Sequence, residues 1–259
     1  MSFARVNGAV LHYLHREGTG RGVVFLNSLG TDHRIWESAA GRLPKDIPLL
    51  FLDKRGHGLS ETAPATMETF AEDVAALMDR CAMADALVCG VSIGGLIAQT
   101  LALRRPDLVG GLVLSNTGLR IGDPESWTAR LDALETSGLE GMADGVLSRW
   151  FSDGFRTSNP DEVEGYRAML TRTPKAGYAA ACEAIRDTDL SGRAAEIAVP
   201  TLCIAGGADI ATPPALVRAL ADAIPGATYE ELDGVGHLPS IESPERVADL
   251  VQRTYGRLA

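Results

Sequence analysis

Val88-Cys89-Gly90-Val91-Ser92-Ile93-Gly94 contains the pattern G-x-S-x-G. A short apolar run, Ala86 to Cys89, precedes the serine, and an apolar helical segment, Gly94 to Leu103, follows it. This context predicts a buried strand turning sharply into a helix. Ser92 then sits at the turn in a strained backbone conformation that lifts its hydroxyl clear of the sheet. Side chains at 90 and 94 would crowd the helix, and glycine removes the crowding. The plainer reading is a helix cap followed by close-packed glycines.

The pattern around this turn is strand, helix, strand. Ala9 to Leu14, Val23 to Asn27 and Ile47 to Leu52 read as strands, as does Val109 to Ser115. Met67 to Arg80 places Phe70, Val74, Leu77 and Met78 at helical spacing, with Thr66 as a cap. Such alternation predicts a parallel sheet covered by helices on both faces. After Asn116 the strands stop. Pro124 to Thr136, Leu139 to Trp150, Glu162 to Thr171 and Lys175 to Asp187 all read as helices. Strand signals return at Thr201 to Ala205 and Thr228 to Leu232, with helices at Pro213 to Ala223 and Pro244 to Tyr255. The expected organisation is an α/β core, residues 1–117 and 190–259, with a helical cap inserted at 118–189. Ordinary crossover helices are the alternative.

Composition narrows the function. The 259 residues are 46% apolar and 22% charged, as in an ordinary globular chain. A net charge of -10 with no basic run argues against nucleic acid. No apolar run approaches the ~20 residues that span a bilayer. Met1 to Gly8 lacks the basic start and apolar stretch of a secretion signal. Cys81, Cys89, Cys182 and Cys203 form no C-x-x-C pair. A reduced, cytoplasmic chain is the expectation.

A serine hydroxyl needs a base to become a nucleophile. Of five histidines, His237 lies in a glycine-rich loop, Asp233-Gly-Val-Gly-His-Leu-Pro239, before the last helix. His33 and His57 sit in earlier loops, where either could line the pocket, and His12 and His15 lie in or beside the first strand. A carboxylate should orient the imidazole. Asp209 follows the Thr201 to Ala205 strand, and Asp233 is the alternative. The order Ser92, Asp209, His237 is that of an α/β-hydrolase. The oxyanion would need two donors: the Ile93 amide after the nucleophile, and an amide from Asn27-Ser-Leu-Gly-Thr31. Leu29 is the first choice and Ser28 the second. Asp32-His33 is an isolated pair, so neither metal nor organic cofactor is expected.

These blocks, with Asp53-Lys-Arg-Gly-His-Gly-Leu-Ser60, resemble the α/β-hydrolase superfamily. Serine at position 92 disfavours the aspartate-nucleophile chemistries of that superfamily, epoxide hydrolysis and haloalkane dehalogenation. A closer resemblance is to the 3-oxoadipate enol-lactonases. Leu26 to Trp36, Asn116 to Gly122 with Trp127 and Arg130, Leu147 to Phe151, and Thr173 to Cys182 carry it, so it extends through the insertion. The resemblance implies a serine hydrolase of aromatic-compound catabolism, in the protocatechuate or catechol branch, acting on a small anionic lactone. A cap arginine would hold the substrate carboxylate. Arg130 is the first choice, one helical turn beyond Trp127, with Arg149, Arg172, Lys175 and Arg55 behind it. Trp127, Trp150 and Phe151 could wall the pocket, or simply pack the cap. The rivals are a general carboxylesterase, a cofactor-free perhydrolase, a carbon–carbon bond hydrolase and a catalytically inert binding protein of the same fold.

Overall fold

A computed structural model describes residues 2–258. Eight strands form one sheet: β1 Ser2–Val6, β2 Ala9–Arg16, β3 Val23–Leu26, β4 Leu49–Leu52, β5 Ala86–Val91, β6 Val109–Ser115, β7 Thr201–Gly206 and β8 Thr228–Leu232. Their spatial order is β1-β2-β4-β3-β5-β6-β7-β8. The β1–β2 and β2–β4 pairs are antiparallel, and every later pair is parallel. The helices are α1 Glu37–Ala40, α2 Met67–Arg80, α3 Ile93–Arg104, α4 Pro124–Trp150, α5 Asp153–Ser158, α6 Pro160–Thr171, α7 Lys175–Arg186, α8 Pro214–Ala223, α9 Pro239–Glu242 and α10 Pro244–Gly256.

The seven expected strands are present. β1 is an addition, joined to β2 by Asn7 and Gly8, both at positive φ. Asn-Gly is the dipeptide that tight hairpins favour. The central strands are apolar and buried from end to end, as a sheet covered on both faces requires. α3 is buried on nearly every side, through Ile93, Leu96, Ile97, Ala98 and Leu101.

Strand order fixes where a site can form. The chain steps from β3 to β4 in one direction, then crosses back so that β5 lies on the other side of β3. Crossovers therefore diverge between β3 and β5, and a crevice opens at their carboxyl ends. The loop containing Leu29 leaves β3 at that point, and Ser92 follows β5.

Between β6 and β7 the chain makes α4, α5, α6 and α7, without a strand among the described residues. The two helices expected at 124–136 and 139–150 are one run, broken at Gly138 (φ 62°, ψ 178°). Asp123 caps it: its carboxylate accepts from the Ser126 amide, while Ser126 Oγ accepts from the Asp123 amide. The short α5, capped by Ser152, was not expected from the sequence. No described helix is long and apolar enough to cross a membrane.

Candidate active site

Ser92 occupies the turn between β5 and α3 at φ 59°, ψ -121°, a strained conformation for a residue with a side chain. The surrounding bonds hold it there. Its amide donates to the Ser115 carbonyl at 3.0 Å, and its own carbonyl accepts from Thr117 Oγ1 at 2.8 Å. The two glycines permit close approach. A Cβ on Gly94 would stand 2.3 Å from the Leu26 carbonyl oxygen, and one on Gly90 would stand 2.2 Å from that of Gly94. Gly94 cannot carry a side chain unless α3 moves away from β3, nor Gly90 unless α3 moves away from β5.

His237 is buried, and its Nδ1 lies 2.8 Å from Asp209 Oδ2. Asp209 is held by four other donors. Its Oδ1 accepts from the amides of Ala211 and Thr212, and its Oδ2 from Thr212 Oγ1 and Asn116 Nδ2. Burial opposes the charge on Asp209. The His237 interaction and the hydroxyl and amide donors outweigh it and hold the carboxyl below the usual range. The alternative orienter, Asp233, is exposed and makes no bond to His237 among the described residues. On the other side of the loop, the His237 amide donates to the Trp150 carbonyl at 2.9 Å. Glu242 accepts from the neighbouring Gly236 amide and from the amide and hydroxyl of Ser152.

Ser92, His237, Ser28 and Leu29 line one cavity of about 850 Å³. Among the described residues, neither the Leu29 nor the Ile93 amide is given to a protein acceptor. Its remaining wall is largely α4, including Trp127, Arg130, Met142, Val146, Arg149 and Trp150. Trp127 is anchored by its indole N–H on the Ile121 carbonyl at 2.6 Å. Arg130 stacks near the rings of Trp127 and Tyr178, each centroid 5.6 Å away, and its Nε donates to the Tyr178 hydroxyl at 2.9 Å. Among the described residues it has no carboxylate within 4.0 Å.

Other candidates fall elsewhere. Arg55 is buried in a bidentate pair with Asp73, and Lys175 pairs with Glu135. Arg172 ends α6 in the open and does not line the cavity. Phe151 packs on Phe155 and Tyr166 within the α4–α7 segment, so it is core and not wall. His33 and His57 do not line the cavity either. His57 Nε2 accepts the Gly30 amide, and His33 Nδ1 bonds Asp53. Asp53 also bonds His12 Nδ1, so His12, His33 and Asp53 bring three possible metal-ligand atoms within 4.8 Å of one another. The Nδ1 atoms already bond the Asp53 oxygens, while the amides of His33 and Leu59 take further acceptor capacity on the same carboxylate. The donors are used to tie three segments together.

Asn116, Thr212, Tyr178 and Glu242 were not picked out from the sequence as site residues. Asn116 has a positive φ of 48° and sits directly after β6 at the sheet's carboxyl edge, the one local sign of its role.

The family model described as "Alpha/beta hydrolase family" matches residues 23–250. The 3-oxoadipate enol-lactonase 2 of Acinetobacter baylyi is 32% identical, over 91% of this chain and 88% of its own. A pimeloyl-[acyl-carrier protein] methyl ester esterase of Aromatoleum aromaticum is 28% identical, over 89% of this chain and 96% of its own. Among solved structures, the enol-lactonase of Burkholderia xenovorans LB400 superposes with a TM-score of 0.95 at 39% identity, covering 98% of this chain and all of that one. The chain belongs to the alpha/beta hydrolase family and is similar to its 3-oxoadipate enol-lactonases.

Proposed function

We propose that this hydrolase opens 3-oxoadipate enol-lactone with water to give 3-oxoadipate, with Ser92 as nucleophile, His237 as base and Asp209 as its orienter. Arg130 carries the substrate assignment. It is a half-buried guanidinium on the wall of the Ser92 cavity, held by aromatic rings and a phenol and not by an acid. Planar and permanently charged, it suits the free carboxylate of a small lactone. Trp127 and Trp150 supply the apolar wall. Arg149, the other arginine on that wall, is exposed.

The chemistry follows from the placement. Ser92 Oγ attacks the lactone carbonyl as its proton passes to His237 Nε2. The Leu29 and Ile93 amides receive the oxyanion. The C–O bond of the ring then breaks, and His237 returns the proton to the departing enol oxygen. Water, deprotonated by His237, releases the acyl group and restores Ser92. The enol tautomerises to the ketone. No step requires a metal or an organic cofactor. In this reading 118–189 is the cap over a core of 1–117 and 190–259, and the enzyme serves aromatic-compound catabolism in the cytoplasm.

The test is kcat/KM on freshly generated lactone, its methyl ester and p-nitrophenyl acetate. Strong preference for the free acid is expected, with Ser92→Ala inactive on all three. A second reading, a carboxylesterase of broad scope, is favoured by the cavity volume of about 850 Å³, large for a five-membered ring. Turnover of the neutral esters with little of the lactone would establish it instead.

A further inference from the structure

Lys54, in the loop after β4, is 3% exposed. Its Nζ donates to the Ser28 carbonyl at 2.5 Å, with the Thr31 carbonyl at 3.4 Å. Among the described residues no carboxylate lies within 4.0 Å of it. Burial pushes the amine down to about 7, against the more distant attraction of Asp53 and Asp32. A buried amine met only by neutral carbonyls burdens the fold whenever it carries its charge. Something else must account for its place.

The Ser28 carbonyl and the Leu29 N–H belong to one planar peptide group, so fixing the oxygen fixes the direction of the N–H. Thr31 Oγ1 donates to the same oxygen at 2.9 Å. The Thr31 amide also reaches it, at 3.4 Å, and three donors on a carbonyl polarise its peptide and strengthen the opposite N–H as a donor. The next amide, Gly30, is given to His57 Nε2 at 3.0 Å. Burial, and then the charge of Lys54, depress the basicity of His57 and keep it neutral, able to accept. Of these two amides, only that of Leu29 is left without a protein acceptor.

We infer that Lys54 is a positioning residue of the oxyanion hole, aiming and polarising the Leu29 amide through the Ser28 carbonyl. The inference rests on the serine mechanism proposed above. Lys54 itself touches no substrate.

The test compares wild type, Ser92→Ala, Lys54→Met and Thr31→Val on p-nitrophenyl acetate. Inhibition by phenylboronic acid, which adds to a serine hydroxyl as a tetrahedral mimic, is measured alongside. Lys54→Met should lose about 10- to 100-fold in kcat, less than removal of an oxyanion donor. Its KM should stay within about 3-fold, and boronate affinity should fall in step with kcat. Its Tm at pH 7 should hold or rise, because a buried, partly charged amine has gone. Wild-type kcat and boronate affinity in Lys54→Met would overturn the inference. So would a kcat loss that tracks a falling Tm while boronate affinity stands. If Lys54→Met does not fold, Thr31→Val decides: a loss of about 3- to 10-fold in kcat with a parallel boronate loss supports the grip on Ser28, and unchanged values overturn it. Full turnover in Ser92→Ala would instead strike the serine mechanism, and the inference would fall with it.

Discussion

Arg130→Met removes the guanidinium that is proposed to hold the substrate carboxylate while keeping most of the side chain's volume. Two unit charges at ~4 Å attract by about 4 kcal/mol at an effective dielectric near 20. Desolvation and ordering consume part of that, and hydrogen bonds to charged groups are worth about 1.5–3 kcal/mol net. The loss in kcat/KM on the acidic lactone should therefore be about 10- to 150-fold. The methyl ester presents no charge, so its kcat/KM should change by less than about 3-fold.

Arg130 is also structural, and that contribution must be separated. Tyr178 is fully buried, and Arg130 is its hydroxyl's partner. Left alone, that hydroxyl would cost about 1–3 kcal/mol, or roughly 2–10 °C in Tm for a chain of this size. Adding Tyr178→Phe to Arg130→Met removes the orphaned group, so the double variant should recover most of the lost Tm. It should recover none of the preference for the acid. Equal losses on acid and methyl ester, or a double variant that regains acid preference, would refute the anchor and leave Arg130 as a strut between α4 and α7.

Three further outcomes follow from the geometry. Asp209→Asn should lose about 10³- to 10⁴-fold in kcat on p-nitrophenyl acetate with its circular dichroism unchanged, since an amide cannot stabilise the imidazolium. Asp53 is buried, yet its bonds to His33, to the Leu59 and His33 amides and to His12 outweigh burial and hold its pKa below the ordinary 3.8. A depressed carboxyl contributes stability that is fully present above 3.8 and is lost as pH falls from 3.8 through the folded value. Asp53→Asn should thus be less stable than wild type at pH 7 in urea unfolding, and the gap should narrow below pH 3.8. In Gly177→Ala the new Cβ would meet the Gly56 carbonyl oxygen at 2.2 Å; overpacking of that kind costs about 1–3 kcal/mol, and a melting curve will show whether α7 gives way.

The fold was legible because its signals are local. Buried strands announce themselves as apolar runs, and G-x-S-x-G forces one particular turn. The order Ser92, Asp209, His237 then followed from placing each at the carboxyl end of its strand. The loop with Ser28 and Leu29 was readable for the same reason, since it follows β3 and lines the cavity. What could not be read depends on contacts between distant segments. Nothing local tells that Arg55 is taken by Asp73, or that Lys175 is taken by Glu135, whereas Arg130 faces the cavity. Phe151 and Trp150 are adjacent in sequence, but only the indole reaches the cavity wall. Lys54 and His57 lie in the Asp-Lys-Arg-Gly-His-Gly block, which marks the family without revealing that two of its side chains grip the loop after β3.

The same long-range contacts argue against treating the helical segment between β6 and β7 as an independent lid. Gly56, in the loop that carries Lys54 and His57, presses backbone to backbone on Gly177 of α7. Thr173 Oγ1 reaches the Gly30 carbonyl at 3.4 Å, in the loop after β3. The amide of His237 is held by Trp150 at the end of α4, and Glu242 ties Gly236 to Ser152 at the start of α5. The α4–α7 segment therefore braces both the loop after β3 and the loop that carries His237. Deleting 118–189 would remove the pocket wall and would also leave Glu242, His237 and Gly30 without their partners Ser152, Trp150 and Thr173. Under the proposed mechanism, a change at α4 can alter kcat as well as KM, because the end of α4 holds the backbone of His237.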